Sequence, residues 1–107
     1  MIKEILTAAG IPYQEAQYPD PPEGTFAVWL EGVDTDGADC DNRIFTHNCT
    51  VELYAPTIET GNEDRSCLFA ELNARGVHYT TQGWYWLNSI RRYQEVIEFK
   101  HIEKRRN

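Results

Sequence analysis

The chain has 107 residues, of which 41% are hydrophobic and 25% charged, and its formal net charge is −7 at pH 7. This length suits one hydrophobic core, and this composition excludes an intrinsically disordered chain. Acidic surfaces repel phosphate backbones, so we expect no specific nucleic-acid binding, and only the basic C-terminal tail could touch nucleic acid. No stretch approaches the roughly 20 apolar residues that a membrane span needs, so we expect no membrane partner.

The first predicted element is a short amphipathic helix at the N-terminus. Its apolar residues, Ile2, Ile5, Leu6 and Ala9, recur at helical spacing and stop before Gly10, the residue type that favours the position after a helix end. The charged pair Lys3 and Glu4 interrupts the apolar run, so the segment does not resemble an export signal. We expect the chain to remain where it is made.

Three strands are predicted next. Residues 11–18, with Pro12 near their start, suit an edge strand, and 25–33 alternate apolar side chains on both faces. Glycines and aspartates then predict a loop over 34–41. Residues 42–54 resume the alternation, which is typical of an antiparallel strand with one solvated face.

A second helix and two further strands follow. Thr60 and Glu63 have the spacing of a capping box, and Gly76 marks the end of this helix. Residues 77–82 and 93–102 are strand candidates. Between them lie the consecutive aromatics Trp84, Tyr85 and Trp86 and a polar turn near residues 88 and 89.

This order of elements predicts an α+β fold with a mainly antiparallel sheet of four to five strands and both helices packed on one face. We expect one domain over 1–103 and a flexible basic tail over 104–107. The acidic excess lies before residue 91, whereas the segment from Arg91 onward has more basic than acidic residues.

Two groups of residues resemble metal ligands. The acidic cluster Asp34, Asp36, Asp39 and Asp41 offers carboxylates, but its spacing does not match a calcium loop, and a solvated loop is the favoured interpretation. His47 and Cys49 would point the same way on a strand, yet zinc needs four ligands. We expect no metal and no cofactor.

The sequence contains no pattern of a catalytic nucleophile. It has no glycine-flanked serine elbow and no phosphate-binding loop. Cys67 stands near Glu63 and Asp64, whose charges would oppose thiolate formation. Three widely separated cysteines fit a reducing compartment better than a disulfide framework. We expect no enzymatic activity.

The aromatic segment 84–86 has two interpretations. Alternation along a strand must send some of these side chains away from the core, and exposed aromatics commonly form contact surfaces. Large aromatics are also often only partly buried at the end of a core. The sequence leaves both interpretations open.

Several short motifs span nearly the whole chain: Gly10-Ile11-Pro12-Tyr13, Pro21-Pro22 before Ala27-Val28-Trp29-Leu30, Val51-Glu52-Leu53-Tyr54, Gly76-Val77-His78-Tyr79 and Tyr93-Gln94-Glu95-Val96. Their order resembles the minor capsid or tail-terminator proteins of long-tailed phages and prophages. The resemblance implies a non-enzymatic subunit of a ring, expected to be a hexamer, that caps the tail tube and helps join it to the head. Its partners would be copies of itself, tail-tube proteins and head-completion proteins.

An acidic body and a basic C-terminal segment suit head-to-tail contacts in such a ring. The expected subunit interface comprises Asp34, Asp36, Asp39, Asp41, Trp84, Tyr85, Trp86, Arg91, Arg92, Lys104 and Arg105. The expected location is the host bacterial cytoplasm during assembly and the virion tail or neck afterwards. The alternatives are a small acidic inhibitor or regulatory module that covers a basic site on a host protein and, ranked last, a metal-dependent enzyme.

Overall fold

The computed structural model describes residues 1–37 and 42–106, with side chains placed for 1–35 and 44–103. Two helices and six strands follow one another along the chain as α1 (Ile2–Ala9), β1 (Tyr13–Glu15), β2 (Phe26–Gly37), β3 (Asn42–Ala55), α2 (Ile58–Ala74), β4 (Tyr79–Thr81), β5 (Tyr85–Leu87) and β6 (Arg92–Arg106). The predicted α+β class is confirmed.

The sheet is built around β3. Its strand order is β1-β2-β3-β6-β4, with β5 also pairing with β6, and every pair except the parallel β1 and β2 is antiparallel. The β2–β3 and β3–β6 pairings keep one constant register along their whole length, without a bulge. Alternation therefore assigns the side chains of these strands consistently to one of two faces.

The structure extends two of the predicted strands. β2 continues to Gly37 where we expected a loop after Val33, and β6 continues to Arg106 where we expected the strand to end at Ile102. In both cases the added residues pair with β3, so Asp34 lies opposite Thr46 and Lys104 opposite Ile44. Ladder hydrogen bonds to a neighbouring strand outweigh the weak turn preference of Gly and Asp.

Two other boundaries also differ from the prediction. β1 is shorter than the predicted strand over 11–18 because Ala16 has a left-handed φ of 66°, which ends the extended backbone. Helix α2 begins one turn before the predicted capping box. Its N-cap is Thr57, whose Oγ1 accepts a hydrogen bond from the Thr60 backbone N–H at 3.2 Å.

Both helices pack on one face of the sheet, here called the helix face. The first helix ends at Gly10, whose left-handed φ of 75° suits glycine. The core on this face joins α1, α2 and the three long strands, and comprises Ile2, Ile5, Leu6, Ile11, Ala27, Trp29, Cys49, Val51, Leu53, Leu68, Leu72, Ile97 and Phe99. The other face, here called the outer face, carries the stacked rings of Phe26 and Tyr54, 5.1 Å apart.

A buried ion pair ties α2 to β6. The Glu95 side chain is fully buried; its Oε1 accepts from Arg65 Nη1 at 2.6 Å and its Oε2 from Thr81 Oγ1 at 2.7 Å. The Arg65 guanidinium also lies 5.5 Å from the ring centres of both Phe69 and Trp84. A carboxylate this deep is tolerable only because both of its oxygens are bonded.

The long strands continue past the helices and form what we call the arm: residues 31–37 of β2, 42–48 of β3 and 100–106 of β6. None of the arm side chains that are placed belongs to the buried core. The molecule measures 50 × 27 × 22 Å, and a 15-residue strand such as β6 spans about 50 Å by itself. The arm therefore determines the elongated shape.

Gly61 of α2 lies against the Trp84 ring, where a side chain has no room. A Cβ there would lie 2.6 Å from Trp84 Cζ2 and 2.9 Å from Ala55 Cβ. We expect Gly61→Ala to lower the free energy of unfolding by about 1–3 kcal/mol, because overpacking outweighs the gain in helix preference. Urea unfolding measures this. The matched control is Gly24→Ala, where a Cβ meets nothing within 4 Å; equal effects of the two changes would contradict the prediction.

Removal of one partner of the buried ion pair should be costly. We expect Arg65→Ala to lower the free energy of unfolding by about 3–5 kcal/mol, since it leaves the Glu95 carboxylate buried without its cation. The double change Arg65→Met with Glu95→Met should recover most of the loss. Arg75→Ala is the control, because its Nε lies 3.8 Å from Glu71 Oε2 at the surface and such pairs contribute less than about 1 kcal/mol.

Candidate interaction surface

The two outer edges of the arm carry backbone groups without a strand partner in the described part of the chain. Strand β1 pairs with β2 only at residues 27–29, and β4 pairs with β6 only at 97–99. Beyond these points, no described strand pairs with the outer side of β2 over 31–37, here called the β2 edge. The same holds for β6 over 100–106, here called the β6 edge.

The register determines which residues of each edge point their backbone groups outward. The Ala27 N–H bonds to Pro12 O and the Trp29 carbonyl accepts from Ala16 N–H, so odd-numbered β2 residues face away from β3. Even-numbered β2 residues therefore bond to even-numbered β3 residues, which leaves odd-numbered β3 residues to bond to odd-numbered β6 residues. The backbone groups of even-numbered β6 residues consequently face outward. The outward groups belong to 31, 33, 35 and 37 on the β2 edge and to 100, 102, 104 and 106 on the β6 edge.

The two edges carry opposite charges. The β2 edge contains Glu31, Asp34 and Asp36 and no basic residue. The β6 edge contains Lys100, Lys104, Arg105 and Arg106 against the single acid Glu103. Among the side chains that are placed, Asp34 and Lys100 are exposed, and Asp34 Oδ2 accepts a hydrogen bond from Asn48 Nδ2 at 2.9 Å.

Exposed apolar side chains accompany these charges. Val33 on the β2 edge is 50% exposed and Ile102 on the β6 edge 60% exposed, while Leu30 at the base of the arm is 44% exposed. Apolar residues of this size on an unpaired edge favour contact with another chain. Sequence reasoning assigned the charges of the two edges to a loop and to a C-terminal tail. It did not identify Lys100 and Ile102 as contact residues, although both lie on the face of β6 opposite to the buried Phe99.

A cleft of about 670 Å³ opens beside the β6 edge, between the end of α2 and β4. Its lining includes the cationic side chains of Arg75 and Lys100 and the imidazole rings of His78 and His101, against the single acid Glu98. Arg75, His78 and Lys100 are exposed. Lys100 therefore places one cationic group of the β6 edge at this cleft, and Arg75, which also contacts Glu71 at 3.8 Å, places a second at its other wall.

On the helix face at the base of the arm, beyond the core, polar and titratable side chains replace apolar ones. His47 Nδ1 lies 3.0 Å from Glu31 Oε2, and His47 Nε2 lies 3.6 Å from Glu103 Oε1. The rings of His47 and His101 are 5.3 Å apart between centres. These contacts link β2, β3 and β6 across the base of the arm, so they hold the three strands together where the helices no longer cover them.

Cys49 is the last core residue of β3 before this cluster. Burial raises the pKa of its thiol from the ordinary 9.0 to about 11, and the Glu31 carboxylate adds to the shift. Glu31 Oε1 accepts from Cys49 Sγ at 3.8 Å. The thiol therefore stays protonated near neutral pH, which opposes nucleophilic chemistry at this position. Cys67, the other cysteine within the described residues, is exposed on α2.

The aromatic segment divides between core and surface. Trp84 packs against the core, and its Nε1 donates to Asn62 Oδ1 at 2.8 Å. Tyr85 is 72% exposed and Trp86 45% exposed, although Trp86 makes an edge contact with Tyr93 at 4.9 Å between ring centres. Of the three aromatics, only Tyr85 and Trp86 offer surface for a contact.

The candidate interface residues do not form one patch. Arg91 immediately precedes β6 and Arg92 begins it, opposite Leu87 of β5, whereas Asp34, Asp36, Lys104 and Arg105 belong to the arm. Ten residues of β6 separate Arg92 from Ile102, about 33 Å of extended strand. Arg92 donates from Nη2 to the Glu23 carbonyl at 3.1 Å and so fastens the proline-rich link. Asp39 and Asp41 lie outside the described residues.

No three His, Cys, Asp or Glu side chains within the described residues converge as a set that could hold a metal ion. No helix in the described part of the chain is long and apolar enough to cross a membrane. Comparison with protein-family models and with curated protein sequences gives no match to this chain.

The raised pKa of Cys49 makes stability depend on pH in a known direction. The folded chain binds this proton more tightly than the unfolded chain, so the contribution is complete below about pH 9 and is lost as pH rises through about 11. We expect a loss of up to about 2 kcal/mol between these limits. Urea unfolding of the wild type and of Cys49→Ala at several pH values measures it. The wild type should decline more steeply, and parallel declines would contradict the assignment.

Proposed function

We propose that the chain is a self-assembling structural subunit of a phage tail or neck. Copies would form a ring that terminates the tail tube and helps join the tail to the head. The observation that carries this proposal is the arm, whose two edges lack a strand partner within the described residues and have opposite charges on opposite sides of one subunit. The family resemblance of the sequence motifs supplies the phage context and the expected hexamer.

Opposite charges on opposite edges favour one mode of self-association. In a two-fold symmetric dimer the same patch meets itself, so the β2 edge would bring acid against acid and the β6 edge base against base. In a head-to-tail arrangement the β2 edge of one copy meets the β6 edge of the next. Repetition of that contact gives a closed ring when the rotation per subunit closes.

The acidic body is compatible with such a ring. The formal net charge of −7 opposes random aggregation of copies, while the local charges of the arm favour one orientation. Exposed Val33 and Ile102 add apolar contact area beside those charges. The protonated thiol of Cys49 and the ion-paired carboxylate of Glu95 support a structural rather than a catalytic use of the buried titratable groups.

Charge reversal tests the proposal. We expect the wild type to form discrete rings, seen by light scattering across a concentration series and by electron microscopy. Asp34→Lys or Lys100→Glu should raise the concentration for half assembly about tenfold, equivalent to about 1.4 kcal/mol. The double change should restore much of the loss. The matched control is Glu63→Lys, which alters the net charge equally at an exposed site on α2.

The phage role needs its own readout. The neighbouring genes should encode portal, capsid or tail-tube proteins, and the purified ring should bind the end of tubes made from the adjacent tail-tube protein. A chain that stays monomeric at high concentration and does not bind such tubes would overturn the proposal. A monomer that forms a defined complex with one basic host protein would instead support the inhibitor alternative, which its acidic surface favours.

A further inference from the structure

Resting on the proposed function, we propose that neighbouring copies join by direct strand pairing between the β6 edge of one copy and the β2 edge of the next. The partner is thus a second copy of this chain. The contact would be a parallel strand pair, so that the three strands of each arm continue into one sheet around the ring. The surfaces involved are residues 31–37 and 100–106.

The first argument is the supply of backbone groups. On each edge, every second residue points its N–H and C=O away from β3, and both edges are about seven residues long. A row of donors and acceptors of this length is a ready template for a further strand. The two rows are equal in length, so one copy can satisfy the row of the next along the whole arm.

The second argument concerns direction. Strands β2 and β6 are both antiparallel to β3, so they run in the same direction within one copy. A rotation about an axis that lies along the arm preserves strand direction. The β6 edge of one copy then meets the β2 edge of its neighbour in the parallel sense. Pairing of two identical edges about a two-fold axis would instead be antiparallel.

The third argument is charge. Asp34 and Lys100 have their side chains on the same face of the sheet, the outer face, because the register relates 34 to 46 and 102, and alternation places 100 with 102. In the parallel β2–β6 contact, Asp34 of one copy lies near the level of Ile102 in the next, within one pleat of Lys100. Identical edges would instead place like charges across the contact, which is destabilising.

The basic cleft extends this match beyond the arm. It lies next to the β6 edge, at the point where β4 begins, and Arg75, His78 and Lys100 are among its lining residues. A strand added to β6 at 100–106 would lie in line with β4 and would bring its acidic side chains beside this cleft. The cleft thus places Lys100 and Arg75 close to where the acidic β2 edge of a neighbour arrives.

Cysteine cross-linking tests the pairing. The Asp34→Cys/Ile102→Cys variant, made with Cys40→Ser and Cys67→Ser, is oxidised at the concentration where the ring forms. Within one copy the two new cysteines are two strand spacings apart, about 10 Å, which is beyond the reach of a disulfide. We expect a ladder of linked multimers that ends at the ring size. The matched controls are the two single variants, which should stay unlinked alone and give linked dimers when mixed.

The outcomes separate this inference from the proposed function. Rings without a ladder, or single variants that link to themselves, would overturn the pairing and leave the ring intact. A chain that does not assemble would overturn both.

A proline substitution at one position tests the strand pairing independently of cross-linking. Val33→Pro removes an outward N–H that takes no part in the β3 ladder, so folding should persist while assembly weakens at least tenfold. Val33→Thr keeps that N–H and is the matched control. Its assembly should be much closer to that of the wild type than the assembly of Val33→Pro is. Equal assembly by Val33→Pro and Val33→Thr, with equal melting curves, would contradict the pairing.

Discussion

The constraint on which the rest of this molecule depends is the unbroken register of β3 with both of its neighbours. β3 pairs with β2 from Tyr54 to Arg43 and with β6 from Ala55 to Asn42, in both cases without a bulge. A one-residue slip would exchange the two faces of the sheet. The same register therefore fixes the core under the helices, the polar base of the arm and the outward groups of both arm edges.

Along the helix face, one continuous ladder serves two environments. On this face of the body the side chains are apolar and covered by α1 and α2, apart from the ion-paired Glu95. Glu31 lies in the same rung as Cys49 and Phe99, the last apolar residues of the body. Together with His47, His101 and Glu103 of the next two rungs, it bridges the strands by polar contacts. The helices supply burial for the body, whereas the arm relies on backbone pairing and on these side-chain bridges. A body stabilised by its own core leaves the arm available for contact.

The sequence predicted what depends on local pattern. Helical spacing around Leu6 and alternation in β3 correctly indicated the α+β class and the two-helix layer. Prediction from the sequence failed where residues distant in the chain decide which segments form strands. The glycines and aspartates of β2 resemble a loop until β3 pairs with them, and the last basic residues resemble a tail until β3 pairs with them too. Glu95 alternates with Ile97, which indicated that its side chain is buried. No local pattern identified Arg65 as its ion-pair partner.

The pairing of β3 with β6 closes progressively larger loops of chain toward the tip. Near the body, Ala55 meets Tyr93 around α2, whereas at the tip Asn42 meets Arg106. Loop-closure entropy grows with the length enclosed, and contacts between distant residues form late in folding. At the arm tip, β6 should accordingly be the last strand to pair and the first to open, whereas β2 and β3 pair there between residues close in sequence. A newly made chain would expose a finished β6 edge only after its body had already folded, which delays adhesion between copies until each is complete.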